Sequence, residues 1–347
     1  MTPINMSSDT QTLPTEQMYD AMRSAPLGDD MLRADPTVNR LEEIAAEKTG
    51  KEAALLVPSG TMGNLVALMV HAKPGDEVIL DAESHIYYYE AGSIASVAGL
   101  MPRVVESRNG RLAPDAVAAS IRKRDQHFPV PRVLCLENTH NRSGGRVVPL
   151  GLQNDLAAVA HDHGLAVHLD GARIFDAAVA SGSPAAAFTE HVDSVMFCLS
   201  KGLSCPVGSI LAGTAEFVAQ ARLVRKRLGG AMRQAGLLAA CGIVALETMI
   251  ERLAEDHVRA HRLAELIAAI PGLSVEMESV QTNMVYVDHT GTGLSTDEVL
   301  SRLATAGVLA SDRAPTHFRL VANRHHGDSE ITEAVARIRR AVTRDDR

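Results

Sequence analysis

Residues Asp193–Gly213 read DSVMFCLSKGLSCPVGSILAG. Two short apolar runs, Ser194–Leu199 and Ser209–Ala212, flank a Ser- and Gly-rich turn that carries Lys201. Each run is apolar on both faces, as a strand covered by helices on two sides must be. Similar runs occur upstream at Ala53–Val57, Glu77–Asp81, Arg132–Glu137 and Ala166–Asp170. Between and after them lie stretches with helical spacing: Thr61–His71, Leu152–His163, Glu216–Arg227 and Leu237–Ile250. Strands alternating with helices predict an α/β fold with a mostly parallel sheet flanked by helices. Beyond Arg252 the texture changes. A long helix, Arg252–Ile270, ends at Pro271-Gly272, followed by strands at Ser274–Glu278 and Met284–Asp288, a helix near Thr296–Ala306, a strand near His317–Val321 and a closing helix, Ser329–Val342. The chain thus divides into an N-terminal arm with a large domain, 1–251, and a smaller C-terminal α/β domain, 252–347. No Pro- or Ser-rich linker separates them, so the two share an interface.

Composition narrows the function classes. The chain has 347 residues, is 46% hydrophobic and 22% charged, and carries a formal net charge of −8. That charge argues against nucleic-acid binding through a basic surface. The longest apolar-and-Gly stretch, Ala235 to Leu246, is short of the ~18–20 residues a bilayer span needs, so no membrane association is expected. The four cysteines form no CxxC pair, and the N-terminus has no basic start followed by an apolar run; both fit a reduced, cytoplasmic protein. No ligand spacing calls for a metal.

Four segments carry chemistry. Lysine is rarely buried without a partner. At a strand end, the Lys201 amine can reach a carbonyl, and desolvation makes such an amine a Schiff-base nucleophile; the bland alternative is a surface lysine in a turn. In AVHLDGARIFD (166–176), Asp170 ends a buried strand, where open α/β sheets collect ligands. A buried aspartate needs a cationic partner, and a pyridinium nitrogen is one; a helix cap is the other reading. In PSGTMGN (58–64), Ser59, Gly60 and Thr61 open a helix whose amides could cradle a phosphate. In SHIYYYEAG (84–92), His85 could stack on a flat cofactor or exchange protons near neutral pH, and the tyrosine triplet suggests subunit packing.

These segments, in order with SDT (8–10), GDD (28–30), DPTVNRLE (35–42), LENTHNRSGGRVVPL (136–150), HLDGAR, CLSKGL, RLGGAMRQAG (227–236) and QTNMVYVD (281–288), resemble the low-specificity L-threonine aldolases, within the beta-eliminating lyase group of fold type I pyridoxal-phosphate (PLP) enzymes. The resemblance implies the PLP cofactor and cleavage of L-β-hydroxy-α-amino acids such as L-threonine, L-allo-threonine or β-phenylserine to glycine and an aldehyde. It implies that Lys201 is the Schiff-base lysine, Asp170 the partner of the pyridine nitrogen, and His85 the histidine on the ring. Ser59, Gly60 and Thr61 match the phosphate loop; Ser8, Arg173 and Arg319 match the groups that hold the substrate carboxylate, with Arg173 also in the cofactor pocket. His127 resembles a second substrate-facing histidine. Lys226 and Arg233 look like basic residues that reach a neighbouring subunit's phosphate, as in a homodimer with shared sites paired into a tetramer. His85, His127 or a water is then the base. Departures from the family pattern fall at Ser7, at Leu32, Arg33 and Ala34, and at Ala322–His325, where they bear on specificity. The same Lys–Asp–Arg set also serves β-elimination and transamination; a PLP-fold binding module is the non-enzyme alternative.

Overall fold

The computed structural model describes residues 2–343. Alternate residues of β1 (Ala53–Val57) enter different cores: Ala54 and Leu56 pack on one side of the sheet, Leu55 and Val57 on the other. That is why the strand carries no polar face. The remaining strands of the large sheet are β2 (Glu77–Asp81), β3 (Met101–Val105), β4 (Pro131–Glu137), β5 (Ala166–Asp170), β6 (Ser194–Cys198) and β7 (Ser209–Gly213), in the order β1-β7-β6-β5-β4-β2-β3. Only β7 runs antiparallel to its neighbours. Helices Pro36–Thr49, Leu150–Asp162 and Gly236–Thr248 contribute to the larger core, while Gly60–His71 and Ala215–Arg227 cover the other face. The apolar stretch at Ala235 lies in one of these buried helices, and no helix among the described residues is long and apolar enough to cross a membrane.

The parallel strands β2, β4 and β5 end on Asp81, Glu137 and Asp170, all buried. The register sets Glu137 beside Asp170. Three carboxylates thus share the carboxyl edge of neighbouring strands, the edge where ligands gather in open α/β sheets.

Two elements differ from the sequence reading. Strand β3, MPRVV, has no counterpart there: it is an edge strand with only Val105 buried, so it lacks the apolar run that marks the others. The segment Ser274–Glu278 makes only a single two-way backbone bridge from Ser274 to Asp288 before turning into a short 3-10 helix at Met277–Ser279. A second sheet is formed by β8 (Met284–Asp288), β9 (Ser311–Ala314) and β10 (His317–Val321), antiparallel in the order β9-β10-β8. Helices Leu253–Ala268, Thr296–Thr305 and Asp328–Val342 pack with it. The N-terminal arm joins this core: Ile4–Asn5 pairs in parallel with Val308–Leu309, and Met6 is fully buried there.

Candidate active site

Asp170 sits at the floor of the carboxyl edge. Its Oδ2 accepts from Asn64 Nδ2 at 3.0 Å and its Oδ1 from the Ala172 amide at 3.0 Å. Among the described residues no lysine or arginine pairs with it. Asn64 also donates to Glu90 Oε1 at 2.8 Å, and the same oxygen lies 2.9 Å from His85 Nδ1. His85 is fixed further by its amide, which donates to Glu137 Oε2 at 2.6 Å. Burial works against a charge on His85, but the Glu90 hydrogen bond and the charges of Asp170 and Glu90 outweigh it and hold the imidazole above its ordinary pKa. Burial and the Asp170 charge push the Glu90 carboxyl up, and its Oε2 is buried without a partner. His85, Glu90 and Asp170 bring potential metal-ligand atoms within 4.8 Å of one another. The facing oxygens already accept from Asn64 and His85, so the group reads as a closed hydrogen-bond cluster.

The cluster continues into the sheet with one consistent sense. Burial lowers His168 to about 3 and His71 to about 4, so both rings are neutral. The two Asn64 N–H groups are spent on Glu90 and Asp170, so Asn64 Oδ1 must accept from His168 Nε2, at 3.0 Å. His168 Nδ1 then accepts from the Ser194 hydroxyl at 2.8 Å, and Ser194 Oγ accepts from His71 Nε2 at 2.8 Å. A polar chain running through the core thus ends by presenting N–H groups to the two carboxylates.

Lys201 lies three residues past β6, in a turn whose Ser204 has φ 67°. Its carbonyl accepts from the Thr12 hydroxyl at 2.6 Å and the Ser204 amide at 2.8 Å, so the arm holds the lysine turn. Among the described residues nothing bonds its ammonium. Ser59 caps helix Gly60–His71 through the Met62 amide at 3.2 Å. A Cβ on Gly60 would lie 3.0 Å from Cys198 Sγ, and one on Gly63 would lie 2.7 Å from Met196 Cγ. Glycine lets the helix start settle onto β6 with Ser59 and Thr61 exposed.

Arg173 is buried, and its Nε and Nη2 clasp Asp9 at 2.7 Å each. Burial alone would raise the Asp9 carboxyl, but Arg173, with Lys201 and Arg319 beyond it, holds it well below the carboxylate range. Ser8 caps the turn that carries Asp9. Arg319, on β10, donates to Ser311 Oγ at 3.2 Å, Asn141 Oδ1 at 3.1 Å and the Ser7 carbonyl at 2.9 Å; all three acceptors are neutral. Burial and the nearby Arg173 and Arg313 lower its pKa.

Lys201, Asp170, His85, Ser59, Gly60, Thr61, Ser8, Arg173 and Arg319 therefore belong to the carboxyl edge and its rim. His127, expected beside the substrate, is not brought there within the chain. It is exposed in the loop entering β4, paired with Asp125 at 2.5 Å, and the adjacent Phe128 packs under Arg122, which reaches Glu77 at the start of β2. That is the opposite edge of the sheet. Lys226 is exposed, and Arg233 pairs with Asp29 at 2.9 Å. Arg324 and His325 bind the Leu13 backbone at 2.8 and 3.0 Å, so these departures tether the arm. Sequence reasoning missed Asn64, Glu90, Glu137, His168, Asp9 and Arg313. For all but Arg313 the available signal was a polar or charged residue inside an otherwise apolar or motif-bearing string; the string around Arg313, ASDRAPTH (310–317), carries none.

A family model for beta-eliminating lyases matches residues 5–290. The chain belongs to the beta-eliminating lyase family. This family member is 44% identical over 333 residues to a probable low-specificity L-threonine aldolase 2 of Arabidopsis thaliana, covering 94% of this chain and 93% of the relative. It is 43% identical over 285 residues to the low specificity L-threonine aldolase of Escherichia coli O157:H7, covering 82% and 84%. Its fold matches a Leishmania major threonine aldolase with TM-score 0.84 at 19% identity, over 98% and 100% of the two chains. A double mutant of Thermus thermophilus aspartate aminotransferase matches with TM-score 0.75 at 18% identity, over 98% and 92%. The beta-eliminating lyase scaffold here is that of fold type I pyridoxal-phosphate enzymes.

Proposed function

We propose that this protein cleaves the Cα–Cβ bond of L-β-hydroxy-α-amino acids, L-threonine and L-allo-threonine among them, to glycine and an aldehyde with pyridoxal phosphate. The observation that carries the reading is Asp170: a buried carboxylate facing the ligand edge with, among the described residues, no lysine or arginine against it, three residues beyond whose neighbouring strand stands a lysine amine that none of the described residues pairs. These residues fit the cofactor. Lys201 would anchor it, Asp170 would keep its ring nitrogen protonated, His85 would cover its ring, and the Ser59–Thr61 helix start would take its phosphate. When bound, the cofactor supplies the electron sink for the bond that breaks.

The chain's own residues do the rest. Arg319 binds the substrate carboxylate, because its fork has only neutral acceptors, whereas Arg173 is closed by Asp9 and serves to position that wall. His85 takes the β-hydroxyl proton at Nε2, since Glu90 holds the hydrogen on Nδ1. The exposed Tyr87, Tyr88, Leu32 and Met101 support a homodimer, itself paired into a tetramer, in which Lys226 and Arg233 reach a neighbour's site. Four buried free thiols support a reducing, cytoplasmic setting.

The test is product identification with L-threonine, L-allo-threonine, their D-enantiomers and β-phenylserine. Equimolar glycine and aldehyde from the L-forms is the expected result. A 2-oxo acid with ammonia (2-oxobutanoate from threonine or allo-threonine, phenylpyruvate from β-phenylserine), or no turnover with cofactor bound, would overturn the reading.

A further inference from the structure

The rim of the site closes as a ring of contacts. His85 binds Glu137 through its amide; Glu137 Oε1 accepts from the Asn141 amide at 2.8 Å; Asn141 receives Arg319 at Oδ1 and the Tyr286 hydroxyl at its carbonyl, 2.8 Å. Tyr286 accepts from Arg313 Nε at 2.5 Å, Arg313 Nη1 donates to the Tyr89 hydroxyl, and the Tyr89 ring lies 5.3 Å from His85. Arg313 therefore hangs over the same opening as His85 and Arg319.

Its chemistry is unsatisfied. The Arg313 Nη2 atom is buried and has no hydrogen-bond partner among the described residues. Among the described residues neither Arg313 nor Arg319 has a carboxylate partner. The nearby acids are taken: Glu83 by Arg142, Asp9 by Arg173, and Glu137 by two backbone amides. Tyr89 accepts from both Arg313 and Arg142, which leaves its own hydrogen to donate. A rim of spare donors and two guanidiniums, walled by aromatic rings, is built for anionic oxygens. One guanidinium suffices for the α-carboxylate.

We infer that Arg313, with the Tyr89 hydroxyl, forms a second anion subsite that selects β-hydroxy-α-amino acids bearing a carboxylate on the β-substituent. This deepens the proposed function and rests on it. For 3-hydroxyaspartate the Cα–Cβ pair stays with Cα, which gains a proton to give glycine. The β-hydroxyl loses its proton to become the carbonyl of glyoxylate. No oxidant or second reactant enters.

The experiment compares L-3-hydroxyaspartate (both β-epimers), its neutral isostere L-3-hydroxyasparagine, and L-threonine on the PLP-loaded protein, wild type against Arg313→Gln and Arg313→Lys. The wild type is expected to favour hydroxyaspartate over hydroxyasparagine by about ten-fold or more in kcat/KM, because an unmatched buried donor penalises the neutral analogue. Arg313→Gln should collapse that ratio and Arg313→Lys restore part of it. A wild-type ratio near one, or a ratio that Arg313→Gln leaves unchanged, overturns the subsite; a purely structural arginine would depress all substrates alike. If no substrate is cleaved, the proposed function fails instead. Melting with succinate against propionate then decides the subsite: succinate should stabilise the wild type more than Arg313→Gln. Equal stabilisation of the two proteins overturns it.

Discussion

At the residue scale, the site is a set of polar atoms whose roles follow from who already binds them. Lys201→Ala should leave less than a thousandth of the aldol cleavage rate and a protein that loses its cofactor on dialysis; retention of either would remove the lysine from its role. Glu90→Gln gives a signed test. Glu90 raises His85, and His85 accepts a proton only when neutral, so kcat/KM rises with pH through the His85 pKa. Removing the carboxylate lowers that pKa and moves the acid limb of the pH profile to lower pH. A limb that stays put would show that His85 is not the base. Lysine, aspartate and histidine were legible because each stands in a short motif at the end of an apolar run. Asn64 and Glu90 stand in those same strings without a signal of their own, since an amide and a carboxylate one turn beyond a motif look like ordinary capping residues. Arg313 was illegible for another reason. Its meaning lies in the acids it does not meet, and only packing shows which partners are taken.

At the element scale, the arm and the sheet are joined by charge. Asp9→Asn would leave buried Arg173 facing a neutral amide and should cost about 3–5 kcal/mol of stability, read by denaturant unfolding. The sign with pH follows from the lowered Asp9 pKa. The pair stabilises fully above the ordinary carboxylate range, and its contribution is lost as pH falls from there toward the folded value. The chain from His71 to Asn64 adds a second slope. Both histidines bind protons more readily unfolded than folded, so stability falls as pH drops from 6.5 toward about 4. His71→Gln should flatten that slope; an unchanged slope would place the loss elsewhere. Six of the seven strands of the large sheet were readable to within a few residues because burial on both faces leaves uninterrupted apolar runs; four helices around it were readable by their spacing, but Pro36–Thr49 and Ile174–Ser181 were not. Strand β3 escaped because an edge needs no such run, and Ser274–Glu278 misled because alternating residues matched a strand that only one bridge supports.

At the scale of the whole molecule, two sheets meet around one opening. The lysine turn and Asp170 come from the large sheet, and Arg319 and Arg313 from the small one. The arm lies between them, with Met6 in the small core, the Ser7 carbonyl on Arg319 and Thr12 on Lys201. Met6→Asp should therefore raise KM for the amino acid more than it lowers kcat, because it loosens the carboxylate site while leaving the sheet edge intact. An equal fall in both would mean that the arm serves stability alone.

That arm also bears on the order of events during synthesis. Its partners at Val308, Leu309, Ser311 and Arg319 are roughly three hundred residues downstream, so a growing chain carries Ile4–Met6 unpaired until those segments have left the ribosome. The central sheet can assemble early, but the proposed carboxylate wall is completed only once β10 has been made. A chain stopped before β10 would hold Lys201 in an open cleft, and a chain that carries β10 would close that cleft with Ile4–Ser7.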